Sequence, residues 1–355
     1  MKIYSLILTL LCLWQPQAYA QDTDDLDLSA LIEPADTSRF VQDSQYFNWC
    51  SSIIRDKQGT YHLFYSRWPK KYGFFAWLTH SEIAHATARH PDGPYQGAKT
   101  VLQARKGHWD QITAHNVRVN RFNDRYYLYY ISTNSDTVEL NEEKLQEIAR
   151  TGYSHPYWNL LRSNQRTGVA EASSLSGPWK RKEKPMIEPH GPIYTVTVNP
   201  SVCQGKDQKY NLIIKGDNQP SGKRHLIQAV GTSDSPTGPF VLEDKPAFAD
   251  IPTEDVCSWY DKERERFYAL FHAHGGNFIG LITSTDGIHW EKAQHYVVCK
   301  KEIPLTDGTI MKVDRMERPF MYLENGKPAM LSFGVKKGNN AFIVFFNLKK
   351  QPNNH

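Results

Sequence analysis

A unit of about sixty residues recurs five times along this chain of 355 residues, and this recurrence restricts the folds open to it. Each copy joins a polar pair, an apolar strand, a polar turn and a strand rich in aromatic residues, as in residues 61–65 and 126–130. The turns carry residues typical of β-hairpins, as in residues 56–59 and 324–326. The polar pairs are Ser51-Ser52, His115-Asn116, Asn199-Pro200, Glu254-Asp255 and Glu317-Arg318.

A second tag follows four of the five hairpins: a turn containing glycine, then an aromatic residue that opens the outer strand of the unit. Four short strands per unit, repeated five times, predict an all-β fold, a five-bladed β-propeller. A β-sandwich with irregular hairpins is the alternative, and five copies in register argue against it. The tags are Asp92-Gly93-Pro94-Tyr95, Ser176-Gly177-Pro178-Trp179, Thr237-Gly238-Pro239-Phe240 and Asp286-Gly287-Ile288-His289-Trp290.

The second unit is the longest, and its excess covers residues 136–162. Within it Leu145, Ile148 and Ala149 are spaced i, i+3, i+4, which predicts a short amphipathic helix. An insertion of this size sits on a face of the propeller as a lid or as a contact between copies, or its helix packs on the rim. The pattern leaves these alternatives open, so oligomerisation through this insertion stays a prediction.

The N-terminus has the features of a secretory signal peptide. Lys2 precedes an apolar run over residues 3–14 that is too short to span a bilayer, and Ala18-Tyr19-Ala20 then forms a small-x-small cleavage site. No later segment is long and apolar enough to cross a membrane. We therefore expect a signal peptide over residues 1–20, cleavage near Ala20, a periplasmic or secreted location, and a single propeller domain over residues 21–355.

Charge and cysteine content exclude several classes of protein. The net charge is only +4, with Lys and Arg interspersed among Asp and Glu, so the basic stripe of a nucleic-acid binder is absent and membrane insertion is not expected. The four cysteines beyond residue 20 are widely spaced without a CxxC pair, which favours buried free thiols over a zinc site. No cofactor is expected, but a structural cation on the propeller axis stays open. The histidines that such an ion would use are His80, His85, His115, His272 and His274.

The innermost strands of a propeller converge on its axis, so the residues that open them gather at one mouth of a central funnel. Asp110, Glu254, Asp255 and Glu317 occupy such positions, which predicts a pocket crowded with carboxyl groups. Crowded carboxylates repel one another, so at least one of them keeps its proton to a higher pH. A protonated acid beside an ionised partner is what glycoside cleavage requires. Flat aromatic faces suit sugars, and the tryptophans near these strand starts are Trp49, Trp68, Trp77, Trp109 and Trp259.

The blade pattern, the Gly-Pro-aromatic tags, the Glu254-Asp255 pair and the segment 65–69 resemble the five-bladed propeller glycoside hydrolases. That superfamily includes families 43, 62, 32, 68, 117 and 130, and the resemblance extends over essentially all of the chain beyond residue 20. It implies an exported, exo-acting enzyme that removes a terminal sugar from a plant or algal oligosaccharide or polysaccharide.

The resemblance carries over one catalytic residue directly. Glu254, at the start of the fourth blade, matches the general acid of these enzymes. The usual Asp that opens the first blade is absent, and Asn199 stands where a further Asp is common in the third. The resemblance then implies that Asp110 or Glu317 replaces the missing base.

Further roles follow from the same resemblance. Asp255 is a partner for the acid, and the relocated groups of family 117, which include a His acid, make His115 and His272 candidates. The forks of Arg67 and Arg318, together with Lys215, suit a hydroxyl, carboxylate or sulfate of the sugar. The predicted substrate-binding residues are Asp255, His115, Asn116, Asn199, Arg67, Arg318, Trp49, Trp68 and His272.

Structural interpretations of the same residues compete with the catalytic ones. Glu317-Arg318 fits an ion pair between blades, Asp110 fits a turn acceptor, and Asn199 fits a strand cap that orients a neighbour. Two other functions stay open. A non-catalytic carbohydrate-binding propeller is favoured by the missing acids, and a glycoside phosphorylase resembling family 130 needs phosphate, which is scarce outside the cytoplasm.

Overall fold

The computed structural model describes residues 24–218 and 226–350, so the predicted signal peptide lies outside the described residues. Four four-stranded antiparallel sheets and one three-stranded sheet form the five blades of a propeller, which confirms the predicted all-β fold. Blade 1 contains β1 (Tyr46–Arg55), β2 (Tyr61–Pro69), β3 (Glu82–Ala88) and β4 (Gln96–Leu102). Blade 2 contains β5 (His115–Phe122), β6 (Arg125–Ser132), β7 (Arg166–Ala172) and β8 (Lys180–Arg181).

The third and fourth blades repeat this meander, and the fifth has three strands of its own. Blade 3 contains β9 (Val198–Gln204), β10 (Tyr210–Asp217), β11 (Leu226–Ser233) and β12 (Val241–Phe248). Blade 4 contains β13 (Thr253–Asp261), β14 (Arg266–Ala273), β15 (Phe278–Ser284) and β16 (Glu291–Lys300). A small hairpin, β17 (Glu302–Pro304) and β18 (Ile310–Lys312), leads into blade 5, which contains β19 (Arg315–Glu324), β20 (Lys327–Lys337) and β21 (Asn340–Asn347).

The segment that precedes β1 covers the outer edge of blade 5. The segment 31–41 lies along β21, the outermost strand of blade 5, where Val41 and Ile343 exchange both backbone hydrogen bonds at 3.1 Å. Glu33 N donates to Asn347 O at 2.9 Å farther along the same strand. The pairing covers an edge that is otherwise open, since blade 5 lacks the fourth strand and the aromatic tag of the other units.

The core lies between neighbouring blades. Apolar clusters join blade 1 to blade 2, blade 2 to blade 3 and blade 3 to blade 4, and a larger cluster joins blades 4, 5 and 1. The alternating strand pattern produces this arrangement, because each blade presents one face to each neighbour. Gly280 of β15 permits one close approach: a Cβ there would lie 2.2 Å from the Phe271 ring. The four cysteines of the described ranges are free, as expected.

The insertion in blade 2 contains the predicted helix. Helix α1 (Glu142–Thr151) starts at Asn141, whose side chain accepts a hydrogen bond from Lys144 N, and it buries Ile148 and Ala149. A one-turn 3₁₀ segment (Gly152–Ser154) and α2 (Trp158–Ser163) follow. The helices pack against a second 3₁₀ segment (Phe74–Leu78) that joins β2 to β3, and this packing places the insertion over the mouth of the propeller. Among the described residues no helix has the length and apolarity to span a bilayer.

Candidate active site

Each of the five inner strands is interrupted at the same point by a residue with left-handed backbone conformation. These residues have φ between 51° and 61°, a region that residues other than glycine seldom occupy. The strand pairing is irregular at all five points, as in a β-bulge, which turns side chains toward the axis. The repetition of a strained conformation at one level of the fold marks a site that the surrounding sheets hold in place. The five residues are Cys50, Asn116, Asn199, Asp255 and Arg318.

These five residues are linked by hydrogen bonds around the axis. Asn116 Nδ2 donates to Asn199 Oδ1 at 2.8 Å, and Asn199 Nδ2 donates to Asp255 Oδ1 at 2.7 Å. Arg318 donates from Nη1 to the same Asp255 oxygen at 3.3 Å and from Nη2 to Cys50 Sγ at 3.5 Å. The chain of bonds forms a buried polar floor, and it gives Asn199 the orienting role expected of a strand cap.

A pocket of about 170 Å³ lies above this floor at the centre of the ring. All five blades contribute the residue that precedes the left-handed position, and the insertion and the β2–β3 connection complete the wall. The pocket therefore joins residues that are far apart in sequence. Its lining comprises Trp49, Trp68, Phe74, Trp77, His115, Asn116, Ile131, Tyr153, Arg162, Val198, Asn199, Lys215, Glu254, Asp255, His272, His274, Arg315, Glu317 and Arg318.

Glu254 is the ionised carboxylate of the pocket. Lys215 Nζ lies 2.7 Å from Glu254 Oε1, and both side chains are shielded from solvent, with 4% and 15% exposed. Burial alone would raise the pKa of Glu254, but the Lys215 ammonium and a hydrogen bond from His274 outweigh it and lower that pKa to about 2. In return, the hydrogen bond to Glu254 raises the pKa of His274.

Glu317 has the opposite character. Its burial raises its pKa above the ordinary range, and the nearby carboxylates of Asp255 and Glu254 act in the same direction. Arg315 Nη1 lies 3.5 Å from Glu317 Oε1 and offsets only part of this effect. One pocket thus holds an ionised carboxylate and a carboxyl group that keeps its proton to a higher pH, as expected from the crowding of acids.

Asp255 belongs to the floor. Burial would raise its pKa, but the Arg318 guanidinium at 3.3 Å and its other partners hold the pKa well below the usual range. Glu254, Asp255 and His272 place one potential metal-ligand atom each within 4.8 Å of the others. The Lys215 ammonium already neutralises Glu254 at that point, so the donor set suits a cation poorly.

His115 is a neutral imidazole of the pocket wall. Burial, followed by the charge of Arg318, lowers its pKa to about 3. Its Nδ1 lies 2.7 Å from Ser81 Oγ, and its ring stacks on Trp77 with centroids 5.5 Å apart. The ring therefore does not carry the proton that a His acid needs near neutral pH.

Several predicted residues lie where the sequence analysis placed them. Glu254, Asp255, His115, Asn116, Asn199, Trp49, Trp68, His272, Glu317 and Arg318 all line the pocket.

Two predicted residues lie elsewhere in the described chain. Asp110 precedes β5 by five residues and is fully buried, where it accepts hydrogen bonds from Arg105, Arg181 and Tyr130 at 2.7–3.1 Å. These partners saturate the carboxylate, so its placement in the crowded pocket was wrong, and it holds a loop instead.

Arg67 is the second misplaced residue. It lies on β2 and points to the outer side of blade 1, where its Nε donates to Glu82 Oε1 at 2.7 Å and Nη2 donates to Thr100 Oγ1 at 3.0 Å. Its guanidinium also covers the Tyr46 ring. A substrate-binding role for Arg67 is therefore not supported.

The repeat was also out of register in two copies. In blade 1 the residues at the left-handed level are Trp49 and Cys50, whereas Ser51 and Ser52 bond to Ser332 and to Val119 on neighbouring blades. In blade 3 the corresponding pair is Val198 and Asn199, not Asn199 and Pro200.

Four polar residues of the pocket were not predicted to line it. Arg315 stands two residues before Glu317 on β19, and alternation along a strand would have placed it on the same side. His272 on β14 lies opposite Glu254 on β13, and His274 comes two residues later in the chain. The register of this hairpin therefore places His274 near Glu254 as well. Tyr153 and Arg162 come from the insertion, and no local pattern placed them in the pocket.

Comparison with known proteins identifies the fold. No protein-family model and no curated protein sequence matches the chain. It is similar to a family 117 glycoside hydrolase of the marine bacterium Zobellia galactanivorans, with a TM-score of 0.60, 16% identity and 89% of each chain covered. It is also similar to a thermostable family-43 glycoside hydrolase, with a TM-score of 0.58, 11% identity, and 91% of this chain and 98% of that one covered.

A third solved structure gives the same result. The α-L-arabinofuranosidase of Lactobacillus brevis has a TM-score of 0.57 at 12% identity, with 90% of this chain and 95% of that one covered. The chain therefore has the fold of the five-bladed propeller glycoside hydrolases, and the resemblance carried by the tags is confirmed at the level of fold.

Proposed function

We propose that this protein is an exported glycoside hydrolase that removes a terminal sugar from an oligosaccharide or polysaccharide. The observation that carries the proposal is the pair Glu254 and Glu317, which share one small pocket and have pKa values displaced in opposite directions. Glycoside cleavage needs one carboxyl group that gives a proton and another that is already ionised. The signal-peptide pattern of residues 1–20 supports export.

The protonation states assign the roles. Glu317 is the general acid that protonates the leaving oxygen, because its pKa is raised. Glu254 is the ionised partner that activates a water molecule or attacks the sugar, because Lys215 keeps it charged. This assignment reverses the one implied by the resemblance, in which Glu254 is the acid. Lys215 is the physical reason for the reversal. Its ammonium group, 2.7 Å from Glu254, lowers the pKa of that carboxyl group, so Glu254 is already ionised near neutral pH and has no proton to donate.

The shape and polarity of the pocket support a single sugar ring as ligand. Its volume of about 170 Å³ is below the roughly 300 Å³ at which pockets for drug-sized molecules begin. A pocket of this size at the end of a funnel accepts the end of a chain rather than its middle, which supports exo action. Trp49, Trp68 and Trp77 supply the flat faces on which a sugar ring packs.

Four buried polar atoms of pocket-lining residues have no hydrogen-bond partner among the described residues, and they include Trp68 Nε1, a donor, and Asn116 Oδ1, an acceptor. Buried polar groups are nearly always satisfied in native proteins, so these atoms mark positions for ligand or water. A hydroxyl group is both donor and acceptor and matches both Trp68 Nε1 and Asn116 Oδ1. This supports a carbohydrate over an apolar ligand.

The general acid can be distinguished from its ionised partner because only a poor leaving group needs to be protonated. A panel of plant and marine oligosaccharides first identifies the released sugar, and aryl glycosides of that sugar with good and poor leaving groups are then compared in Glu317→Gln and Glu254→Gln. We expect Glu317→Gln to lose about 10²–10⁴-fold on the poor leaving group but little on the good one, since a good leaving group needs no proton. Glu254→Gln loses activity on both.

The control is Glu263→Gln, which removes an exposed carboxylate paired with Lys327 on the surface. It should leave both substrates unaffected. If Glu254→Gln instead shows the dependence on leaving group, the roles are the reverse of those proposed. If the wild-type protein binds a sugar but releases none from any glycan, the protein is a carbohydrate-binding propeller. Turnover that requires added phosphate would identify a phosphorylase.

A further inference from the structure

The pocket carries more positive charge than its acids neutralise. Glu254 is matched by Lys215 at 2.7 Å, and Asp255 is matched by Arg318 at 3.3 Å. The third acid, Glu317, is shifted toward its neutral form, and its cationic neighbour is Arg315. A site that binds a neutral sugar has no need for this surplus. The cationic residues of the lining are Arg162, Lys215, Arg315 and Arg318.

Arg315 is the cation placed to meet a ligand. Its side chain is 37% exposed, unlike the buried Lys215 and Arg318, so it stands at the entrance to the pocket. Its guanidinium lies 5.7 Å from the centroid of Phe74, and this contact restricts the fork to one region. Arg315 also interacts with Tyr153 of the insertion. A planar, pre-positioned fork suits two oxygens of one anion.

Two further cations lie beside aromatic rings of the pocket, and one of them, Lys336, is already paired with Asp314 Oδ2 at 3.0 Å. Lys336 Nζ lies 5.5 Å from the same Phe74 ring, and Arg162 covers Trp77 with its guanidinium 5.2 Å from the ring centroid. Since Phe74 and Trp77 also line the pocket, cations and flat rings alternate around its mouth. Such a wall offers a packing surface for the sugar ring and charge for a substituent.

We propose that the terminal sugar taken by this pocket carries an anionic substituent, a carboxylate or a sulfate ester, and that Arg315 binds it. The inference rests on the proposed function and names the class of its substrate. It also moves the anion-binding role from Arg67 and Arg318, which the sequence favoured, to a residue on β19. Arg67 is engaged outside the pocket, and Arg318 is held in the floor by Asp255.

Arg315 is close enough to Glu317 for a bound anion to influence the protonation of the proposed acid. Its Nη1 lies 3.5 Å from Glu317 Oε1, so the charge of Arg315 favours the ionised form of the proposed acid. An anion bound to Arg315 offsets that charge and favours the protonated form of Glu317. A correct substrate therefore helps to keep the proton on the acid that must deliver it, and a neutral sugar does not.

The experiment uses oligosaccharides that share ring and linkage but differ in the terminal group: glucuronate, sulfated glucose or neutral glucose. Release of the terminal sugar is compared for the wild type, Arg315→Gln and Arg315→Lys. We expect the ratio of kcat/KM for the anionic substrate to that for the neutral one to fall about 10–100-fold in Arg315→Gln, the range for loss of a charge-assisted contact. Arg315→Lys, which keeps the charge but loses the fork, should restore part of the ratio. The glucuronate and sulfate arms show which anion is taken.

The control variant is Arg125→Gln, which removes an arginine on the outer part of blade 2 that pairs with Glu171. It should leave the ratio unchanged. Thermal unfolding of each variant shows that the fold is intact before activity is compared. Calorimetric titration of glucuronate, glucose 6-sulfate and glucose into the wild type and Arg315→Gln measures binding independently of turnover.

The outcomes separate this inference from the function on which it rests. Equal turnover of neutral and anionic sugars, with a ratio that Arg315→Gln does not change, overturns the inference and leaves the hydrolase proposal in place. Binding of the charged monosaccharides that is lost in Arg315→Gln, with no release from any glycan, supports the inference and overturns hydrolysis. Absence of both binding and release overturns the two together.

Discussion

Replacement of Lys215 by Met perturbs the electrostatic arrangement that defines the pocket. Lys215 is the cation within 2.7 Å of Glu254, and its removal leaves that carboxylate facing Asp255, His272 and His274. Met keeps the length and apolar body of the side chain, so the change is one of charge. The carboxylate must then either stay charged without its partner or take up a proton.

The size of the effect follows from two routes that agree. A pKa of Glu254 held at about 2 against an ordinary value of 4.5 corresponds to about 3 kcal/mol at neutral pH. Removal of one partner from a buried ion pair costs about 3–5 kcal/mol. Lys215→Met should therefore lower the free energy of unfolding at pH 7 by about 3 kcal/mol.

The stability difference between Lys215→Met and the wild type should depend on pH in a defined direction. In the wild type the pKa of Glu254 is depressed, so its contribution to stability is present above pH 4.5 and is lost as the pH falls toward 2. In Lys215→Met only His274 and His272 still oppose burial, and we expect the pKa of Glu254 in the folded state to rise above its value in the unfolded chain. The cost then appears above that pKa, so the difference between variant and wild type should narrow as the pH falls from 7 to 4.5.

The assay is urea unfolding of wild type and variant at pH 7 and pH 4.5, with Lys327→Met as the control. Lys327 pairs with Glu263 at 2.6 Å, but the two side chains are 55% and 59% exposed, so its loss should cost less than about 1 kcal/mol at either pH. The reasoning is refuted if Lys215→Met costs no more than Lys327→Met, or if its cost does not depend on pH. With substrate in hand, the acidic limb of kcat/KM against pH should also move to higher pH in Lys215→Met.

Two further predictions concern the surroundings of the site. Asp110→Asn breaks the buried ion pairs with Arg105 and Arg181, so the free energy of unfolding in urea should fall by about 3–5 kcal/mol while kcat/KM stays unchanged. A large loss of activity at unchanged stability would show instead that Asp110 takes part in catalysis. Asn199→Asp places a second carboxylate 2.7 Å from Asp255 Oδ1, and repulsion between the two should raise the pKa of the pair. The free energy of unfolding of the variant should therefore decrease as the pH rises from 4 to 7, whereas that of the wild type should not. Equal stability of the variant at the two pH values would show that the floor tolerates the added charge.

The fold was predictable because each repeat contains a β-hairpin with recognisable turn residues. The expected aromatic-rich strands included residues 61–65 and 126–130, and the observed strands β2 and β6 begin at Tyr61 and Arg125. Turn residues and alternating apolar residues are local signals, so the sequence carries them directly. The pairing of residues 31–41 with β21 joins segments that are far apart in sequence, and no local pattern predicts it.

The site was predictable in part, for a physical reason that differs from residue to residue. Glu254 and Glu317 were found because each stands at the start of an inner strand, which the repeat locates. Asp110 was misplaced because a loop residue was counted with the strand that follows it. The protonation states of the two acids depend on Lys215 of β10 and on burial by other blades, and contacts between blades are not encoded in any local pattern. The two acids could therefore be located from the sequence, but the roles that the resemblance implied for them are the reverse of those we propose.

The most direct test of the account is release of sugar by the wild type and by the two carboxylate variants. The full protein is incubated with a panel of neutral and anionic plant and marine oligosaccharides, and the liberated monosaccharides are identified. We predict that one monosaccharide is released from chain ends, that Glu254→Gln releases none, and that Glu317→Gln releases it only from a substrate with a good leaving group. Release that persists in both variants would contradict it, because the chemistry would then lie outside this pocket.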